Sequence, residues 1–254
     1  AVLALRCGMW LARAPSIPIL MAGMVGSRNG WTEAAYCPCP ASTATLSTAL
    51  TPIDIGNGRM AHIVPGLSTR DDDGTPDVLR GEETLACGAH VKNGLVILPG
   101  THSKWITITA GVMTGFSTFM TGDFYAALSG HTILKALRQE PDDPNGFIKG
   151  VQAATRGGGL THQAFAARTS VLLGDLKGEE VGPFLSGLLI GSEMIHGLKR
   201  FPAPETITLI ADGILADHYR TVLDHHHLSY DVITPETAFI RGLFYLRQQR
   251  TFAS

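Results

Sequence analysis

Apolar positions along the chain follow two periods, one typical of strands and one typical of helices. Short apolar or alternating runs predict strands at 17–24, 61–65, 95–98, 106–109, 116–120 and 206–210. Helical spacing predicts helices at 2–14, 124–137, 161–173, 184–198, 216–223 and 237–249. A further helix is expected from Gly81, because Glu82 and Glu83 would fall in its first turn, where the helix dipole favours acids.

The order of these elements predicts an α/β protein of two lobes. Strands dominate the first part, a hairpin turning at Ala110 and Gly111 lies in the middle, and helices with one strand–glycine–helix unit follow. We place the boundary near residue 93, so that 1–93 forms the first lobe and 94–254 the second. The last helix is expected to pack back on the first lobe.

The composition supports a large core and argues against several classes of partner. Apolar residues make up 44% of the 254 residues and charged residues 17%, which excludes wholesale disorder. The net charge of −2 gives no basic surface, so no nucleic acid partner is expected. The uncharged stretch 105–122 is rich in threonine and alternates like a strand, so no membrane segment is expected. The 4 cysteines are too few for a disulfide framework, which favours a cytoplasmic protein.

The apolar run at 95–98 leads directly into a turn that carries the groups needed to bind phosphate. The turn offers free backbone N–H groups, two hydroxyls and one cation, from Gly100, Thr101, His102, Ser103 and Lys104. It is not a Walker A loop, because the spacing of two glycines and a lysine in that motif is missing. The alternative interpretation is an ordinary polar turn between two strands.

Two acids at a predicted helix start are candidates for a general base. Arg80 and Gly81 precede Glu82 and Glu83 in the sequence. A carboxylate in this place could accept the proton of a substrate hydroxyl. The alternative interpretation is a helix N-terminus that carries acids only because of its dipole.

Seven short motifs occur in a fixed order along the chain. They are MAGMVGS at 21–27, GW at 30–31, PCPA at 38–41, RGEET at 80–84, PGTHSKW at 99–105, MTG at 120–122 and FLSGLLIG at 184–191. With these motifs the chain resembles the 2-dehydro-3-deoxygalactonokinase family over essentially its whole length. The resemblance implies ATP-dependent phosphorylation of the 6-hydroxyl of 2-keto-3-deoxygalactonate in galactonate catabolism. It also implies the two-lobed, actin-like (ribonuclease H-like) ATPase fold shared with sugar kinases and hexokinase.

The resemblance also implies roles for individual residues. The turn 100–104 corresponds to the second phosphate loop, and Ala211, Asp212 and Gly213 correspond to the segment that contacts adenosine. The residues expected to contact the sugar acid are Gly23, Met24, Ser27, Arg28, Trp31 and Arg80. An arginine suits this ligand because its guanidinium can bind a carboxylate in a bidentate way. Glu82 is the first candidate for the catalytic base, Glu83 the second and Asp77 the third.

ATP and Mg²⁺ are the cofactors that the resemblance implies, with the sugar acid as the other small-molecule partner. The family begins with an Asp-Trp-Gly-Thr/Ser phosphate loop on a hairpin, and this sequence does not contain that stretch. We therefore expect that the N-terminal hairpin of the first lobe is missing here, and the Mg²⁺ ligands and a homodimer stay open. The alternative function is a kinase-like protein that binds the sugar acid or nucleotide without transferring phosphate. A serine or cysteine hydrolase is disfavoured, because no Gly-x-Ser-x-Gly motif is present.

Overall fold

The computed structural model describes residues 2–14, 16–56, 58–202, 204 and 206–249. Its α-helices are α1 (Val2–Arg13), α2 (Thr43–Thr48), α3 (Glu82–Ala89), α4 (Thr121–His131), α5 (Asn145–Ala154), α6 (Leu160–Leu173), α7 (Val181–Arg200), α8 (Gly213–His225) and α9 (Pro235–Gln248). Its strands are β1 (Leu20–Met21), β2 (Tyr36–Pro38), β3 (Thr51–Asp54), β4 (Met60–Ile63), β5 (Gly66–Arg70), β6 (Pro76–Leu79), β7 (Gly94–Leu98), β8 (Ser103–Thr109), β9 (Val112–Phe119), β10 (Ile207–Ile210) and β11 (Tyr230–Ile233). The predicted α/β class is confirmed. The lobes were predicted as 1–93 and 94–254. Residue 1 and residues 250–254 at their outer ends lie outside the described residues.

A five-stranded mixed sheet organises the second half of the chain. Its order is β11-β10-β7-β8-β9, in which β7, β10 and β11 run parallel while β8 and β9 are antiparallel neighbours. Both faces of β7 are buried. Leu95 and Ile97 pack with α5, α7 and α8, whereas Val96 and Leu98 pack with α3 and α9. Burial on both faces explains why the central strands are continuous apolar runs in the sequence.

The hairpin between β8 and β9 turns at the two residues that the sequence indicated. Ala110 and Gly111 have φ values of 51° and 76°, both in the left-handed region. Two such residues in succession give a tight turn whose twist matches that of the flanking strands. The predicted hairpin is therefore confirmed.

Two three-stranded sheets organise the first half, with the orders β1-β4-β3 and β2-β5-β6. A small core beside the first of these sheets contains Ala34, Ile53, Ala61 and Ile63. A larger core continues from the first half into the second, and its members include Leu46, Val64, Leu67, Leu79, Val96, Ile106 and Met113. The two halves of the chain thus share apolar packing across residue 93.

Helix α9 packs on α3 with almost no space between the two backbones. A Cβ added at Gly242 would collide with the carbonyl oxygen of Thr84, and one at Gly88 would collide with that of Ala238. The glycines therefore permit the contact. It places the C-terminal helix beside the helix that begins at Glu82.

Several expectations about the elements are wrong in detail. The strand predicted at 17–24 is confined to β1, because the chain turns at Gly23, where φ is 87°, into a 3₁₀ turn at Met24–Gly26. The helix predicted at 124–137 ends at His131, and a 3₁₀ turn follows at Ile133–Leu137. The pattern did not predict α5 or the strands β2, β3, β5 and β6.

Among the described residues, one helical stretch is long and apolar enough to cross a membrane by length and composition alone. It is Gly178–Arg200, which includes α7, and 72% of its apolar window is buried inside the protein. Burial of this kind is typical of a central helix in a core.

Candidate active site

Two cavities meet at Gly100, in the turn between β7 and β8. The Glu82 cavity has a volume of about 440 Å³ and is lined by Ala22, Gly23, Arg80, Gly81, Glu82, Leu85, Leu98, Pro99, Gly100, Thr101, His102, Ile210, Pro235 and Phe239. The Tyr219 cavity has a volume of about 530 Å³ and is lined by Gly100, Thr121, Gly122, Tyr125, Asp142, Pro144, Pro183, Ser186, Leu189, Ile190, Ile214, Leu215, His218 and Tyr219. Both halves of the chain contribute to the Glu82 cavity, whereas the second half alone forms the Tyr219 cavity.

The turn after β7 is held against the N-terminus of α4. The backbone N–H of Asp123 donates to the carbonyl oxygen of Thr101 at 3.1 Å. The carboxylate Oδ2 of Asp123 also lies 2.6 Å from His102 Nε2. Gly122 permits this approach, because a Cβ there would lie 2.6 Å from Thr101 Cα. Helix α4 therefore fixes the position of the turn at the junction of the two cavities.

Ser103 and Lys104 follow this turn, but their side chains lie on opposite faces of β8. The hydroxyl of Ser103 is 2.9 Å from the Tyr219 hydroxyl. Lys104 Nζ lies 3.9 Å from Glu82 Oε1, on the other face. Both residues are buried. Successive side chains of a strand alternate between its faces, so the hydroxyl lies beside Tyr219 and the cation beside Glu82 although the two residues are adjacent in the sequence.

The first turn of α3 gives its two glutamates opposite surroundings. Glu82 lines the Glu82 cavity, and its Oε2 accepts a hydrogen bond from the Arg80 backbone N–H at 3.0 Å. Glu83 is fully buried, and its carboxylate accepts hydrogen bonds from the Gly81 N–H and the Thr84 hydroxyl. Burial raises the pKa of Glu83 to about 7, although these two hydrogen bonds act in the opposite direction. Only Glu82 of the pair is accessible to a ligand in the cavity.

Asp77, the third candidate for the base, lies in β6 and joins it to β9. Its Oδ2 accepts a hydrogen bond from the Thr118 backbone N–H at 2.7 Å, and its Oδ1 accepts one from the Thr118 hydroxyl at 2.8 Å. Asp77 lines a different cavity, together with His196, Lys199 and other residues. The structure therefore does not bring Asp77 into the Glu82 cavity.

Arg80 anchors the loop that follows β1. Its Nη2 donates to the carbonyl oxygen of Ala34 at 2.7 Å, and its guanidinium carbon lies 4.3 Å from the centre of the Tyr36 ring. Gly23 and Gly81 meet at the cavity wall, because a Cβ at Gly81 would lie 3.2 Å from Gly23 Cα. The Arg80 guanidinium thus holds the loop through the Ala34 carbonyl group. The two glycines let the backbones at 23 and 81 approach each other closely.

The remaining loop residues lie farther out. The Ser27 hydroxyl donates to the Met24 carbonyl oxygen at 2.8 Å. Arg28 Nε lies 3.6 Å from Glu33 Oε1, and the Arg28 side chain is 86% exposed. Met24 and Trp31 are also exposed. The exposed side chains of Met24, Arg28 and Trp31 are therefore available to a ligand at the surface of the first half.

The end of β10 lies at the same edge of the sheet as the turn after β7. The two strands are parallel neighbours, so Ala211 and Gly100 both follow carboxyl ends at this edge. Asp212 precedes α8 and Gly213 begins it. In open α/β sheets, ligands bind outside the carboxyl ends of such strands.

Known proteins share the sequence pattern and the fold of this chain. The family model of 2-keto-3-deoxy-galactonokinase matches residues 1–246. The chain belongs to this family. It is 36% identical over 242 residues to a protein of Rhizobium meliloti named probable 2-dehydro-3-deoxygalactonokinase, and the match covers 89% of this chain and 76% of the relative. It is 34% identical over 234 residues to the 2-dehydro-3-deoxygalactonokinase of Escherichia coli, covering 91% and 78%.

A solved structure is also similar to this member of the 2-keto-3-deoxy-galactonokinase family. It comes from Sinorhizobium meliloti, and its protein is provisionally named a 2-dehydro-3-deoxygalactonokinase. The two chains superpose with a TM-score of 0.86 at 34% identity, over 95% of this chain and 83% of the other. The resemblance predicted from the seven motifs is confirmed.

The family's expected site residues fall into two groups in the structure. Six of them line the Glu82 cavity, namely Gly23, Arg80, Glu82, Gly100, Thr101 and His102. Within the described part of the chain, the others lie outside the lining of both cavities; they are Met24, Ser27, Arg28, Trp31, Asp77, Glu83, Ser103, Lys104, Ala211, Asp212 and Gly213. The structure therefore gathers around one cavity three residues of the turn predicted to bind phosphate, the first candidate base, and two of the residues predicted to contact the sugar acid.

Glu193 is a buried group of this family member that the sequence reasoning missed. It lies in α7, and its carboxylate accepts a hydrogen bond from Trp105 Nε1 at 2.7 Å and one from the Tyr219 hydroxyl at 2.7 Å. The Thr121 hydroxyl donates to the same carboxylate. A signal was present, because a glutamate within the apolar helix pattern 184–198 must find polar partners when it is buried.

Proposed function

We propose that this protein transfers the γ-phosphoryl group of ATP to the 6-hydroxyl of 2-dehydro-3-deoxy-D-galactonate, within a two-lobed actin-like ATPase fold. Residues 1–93 would bind the sugar acid and residues 94–254 the nucleotide. The observation that carries the proposal is the junction at Gly100, where a cavity with an accessible carboxylate meets a largely apolar cavity. The names of the relatives indicate the same reaction.

The two cavities suit the two ends of a phosphoryl transfer. The Tyr219 cavity presents Leu189, Ile214, Leu215 and other apolar side chains, which would contact the base and ribose. Its junction with the Glu82 cavity would place the phosphates against the turn at Gly100 and Thr101. The sugar acid would enter from the first half, between Glu82 and the loop at 23–31. Phosphoryl transfer depends mostly on such positioning and on charge stabilisation.

Glu82 is the proposed general base. As the sugar hydroxyl oxygen bonds to the γ-phosphorus, the bond to the β,γ-bridging oxygen breaks and ADP leaves with that electron pair. The hydroxyl proton passes to the Glu82 carboxylate. Glu83 is enclosed by protein, and both oxygens of Asp77 accept hydrogen bonds from Thr118, so neither has the access that Glu82 has. Lys104 Nζ, 3.9 Å from Glu82 Oε1, would attract the transferring phosphoryl group toward this carboxylate.

Mg²⁺ would reach the site as its complex with ATP, where it neutralises phosphate charge. Within the described residues, no group of three His, Cys, Asp or Glu side chains is placed to hold a metal ion. Mg²⁺ usually retains several waters and takes only one or two protein carboxylates together with the phosphates. No protein ligand is therefore assigned to the ion, and the roles of the residues above do not pass through it.

The test is an assay of ADP release coupled to product identification. The full-length protein is mixed with MgATP and 2-dehydro-3-deoxygalactonate, and the sugar product is analysed by ³¹P nuclear magnetic resonance. ADP and a 6-phosphate ester are expected in equal amounts. ATP binding without ADP release in the presence of the sugar acid would instead support a binding protein without transfer activity.

A further inference from the structure

A network of hydrogen bonds converges on Glu193, behind the wall of the Tyr219 cavity. The Glu193 network consists of Ser103, Trp105, Thr121, Glu193 and Tyr219. These residues come from β8, α4, α7 and α8; the three helices line the Tyr219 cavity, and β8 follows the turn at Gly100. Glu193 itself is 3% exposed and is not a lining residue of either cavity.

The direction of each hydrogen bond in the Glu193 network follows from the donors available. An indole N–H can only donate, so Trp105 donates to Glu193 Oε1. The single proton of the Tyr219 hydroxyl is donated to Glu193 Oε2. The Ser103 hydroxyl, 2.9 Å from the Tyr219 oxygen, must then donate to it. Trp105, Thr121 and Tyr219 therefore donate to the Glu193 carboxylate directly, and Ser103 donates to Tyr219.

Holding this carboxylate in the core is costly. Burial raises the pKa of Glu193, and the hydrogen bonds from Thr121, Trp105 and Tyr219 oppose that rise. Loss of the Trp105 donor would remove the hydrogen bond to Oε1, whereas loss of Thr121 or Tyr219 would leave Oε2 with one donor in place of two. The Glu193 carboxylate thus restricts the positions of Trp105, Thr121 and Tyr219, which all donate to it.

The network reaches the surfaces where the nucleotide would bind. Thr121 and Tyr219 line the Tyr219 cavity. Thr121 also begins α4, whose next residue, Gly122, lies against Thr101 and Gly100. Ser103 directly follows the turn. A change at Glu193 would therefore alter two cavity walls and the phosphate turn together.

We propose that Glu193 is a positioning residue for a nucleoside triphosphate, holding the turn at Gly100, the start of α4 and the Tyr219 wall in one arrangement. This inference rests on the proposed function, because it assumes that the nucleotide occupies the Tyr219 cavity. Glu193 acts through Thr121, Tyr219 and Ser103 and does not touch the ligand itself. The affinity for the sugar acid, which would lie on the far side of the turn, is not expected to depend on Glu193.

Glu193→Gln tests the proposal with little change in side-chain size. Its amide oxygen can still accept from Trp105, but its NH₂ group would then face the Tyr219 and Thr121 hydroxyls, which must accept instead of donate, and the hydrogen bonds lose the charge of the carboxylate. The difference between a charge-assisted and a neutral buried hydrogen bond commonly corresponds to about a tenfold change in an equilibrium. We therefore expect the Kd for ATP, measured by titration calorimetry, to rise about tenfold, and the Kd for the sugar acid to stay within about twofold.

Glu180→Gln is the matched control. Glu180 is also 3% exposed, and it bonds to Lys149 Nζ at 2.6 and 2.8 Å without lining either cavity. This variant should lose stability without a change in ATP affinity. If Glu193→Gln binds ATP as tightly as the wild type, or if both variants weaken ATP binding equally, the proposal is wrong.

A second variant covers the case in which Glu193→Gln does not fold. Trp105→Phe removes the indole N–H that donates to Glu193 while it keeps an aromatic ring in the core. It should raise the Kd for ATP several-fold and leave the Kd for the sugar acid unchanged; unchanged ATP binding would overturn the proposal.

Because these titrations need no turnover, they are separate from the assay of ADP release. Wild-type protein that binds ATP without transferring phosphate would refute the proposed function and leave this inference standing.

Discussion

At the scale of single residues, Glu82 and Glu83 are neighbours in the first turn of α3, but one lines a cavity and the other is buried. Adjacent positions of a helix do not share a face, so the two carboxylates point in different directions. Glu82 reaches the cavity and Lys104, whereas Glu83 binds the Gly81 N–H and the Thr84 hydroxyl inside the protein. The order of candidates from the sequence put Glu82 first, and its accessible carboxylate supports that order without testing it.

Glu82→Gln is expected to reduce kcat strongly while substrate binding is retained. The amide preserves the shape of the side chain but cannot accept the hydroxyl proton. Loss of a general base typically costs about two to four decades in rate, roughly 3–5 kcal/mol of barrier. Steady-state kinetics of the variant with ATP and the sugar acid measure the effect. A kcat close to that of the wild type would place the base elsewhere.

Glu83→Gln is expected to change the pH dependence of stability more than catalysis. The pKa of Glu83 in the folded protein, about 7, lies above the ordinary value of 4.5. The folded state therefore binds this proton more tightly, and the resulting stability is lost as the pH rises from about 4.5 through about 7. By linkage the loss is at most roughly 3 kcal/mol.

Urea unfolding at several pH values between 5 and 8 measures this effect. The wild type should lose free energy of unfolding relative to Glu83→Gln as the pH rises, because the glutamine has no proton to lose. All other titrating groups are shared by the two proteins and cancel in the difference. A difference that stays constant over this range would contradict the assignment of a raised pKa to Glu83.

At the scale of elements, the sequence predicted best those elements that are buried on both faces. The runs at 95–98 and 206–210 became β7 and β10, because parallel strands that are buried on both faces are mostly apolar. The strands β2, β5 and β6 were missed because they are partly exposed, and β2 is in addition held by pairing with β5, far along the chain. Their own residues carry little strand signal.

The Glu193 network was out of reach of sequence reasoning for the same physical reason. Its donors Trp105, Thr121 and Tyr219 are separated from Glu193 by 88, 72 and 26 residues. Only the folded sheet and its covering helices bring them together. The turn after β7 and the helix start at Glu82 could be predicted because each is a short, continuous motif, and their roles in phosphate binding and catalysis stay predictions.

Gly122→Ala is expected to weaken ATP binding by displacing the turn. A Cβ at this position would lie 2.6 Å from Thr101 Cα, a distance that forces the backbone of the turn or the start of α4 to move. We expect KM for ATP to rise about tenfold or more, which corresponds to about 1.4 kcal/mol. Gly130→Ala in the same helix is the control, since its Cβ would meet nothing within 4 Å. Equal KM values for the two variants would show that the turn does not depend on α4.

At the scale of the whole molecule, the two halves are joined firmly on one side and contribute jointly to a cavity. Ala41 and Met113 exchange backbone hydrogen bonds, and Asp77 bonds to Thr118, so the first half is tied to β9. The Glu82 cavity collects Gly23 and Glu82 from the first half and the turn at Gly100 from the second. A movement of the two halves toward each other would narrow this cavity.

Such a closure is expected when both substrates are bound, because an open cavity admits water that competes for the phosphoryl group. Small-angle scattering of the full-length protein with a non-hydrolysable ATP analogue and the sugar acid should give a smaller radius of gyration than the free protein. The analogue alone should give a smaller change, because the proposed site between Glu82 and the turn would then lack the sugar acid. Calorimetry on the same samples establishes that both sites are filled. A radius that is unchanged at saturation would mean that transfer takes place in the open arrangement, and that water must be excluded by the substrates themselves.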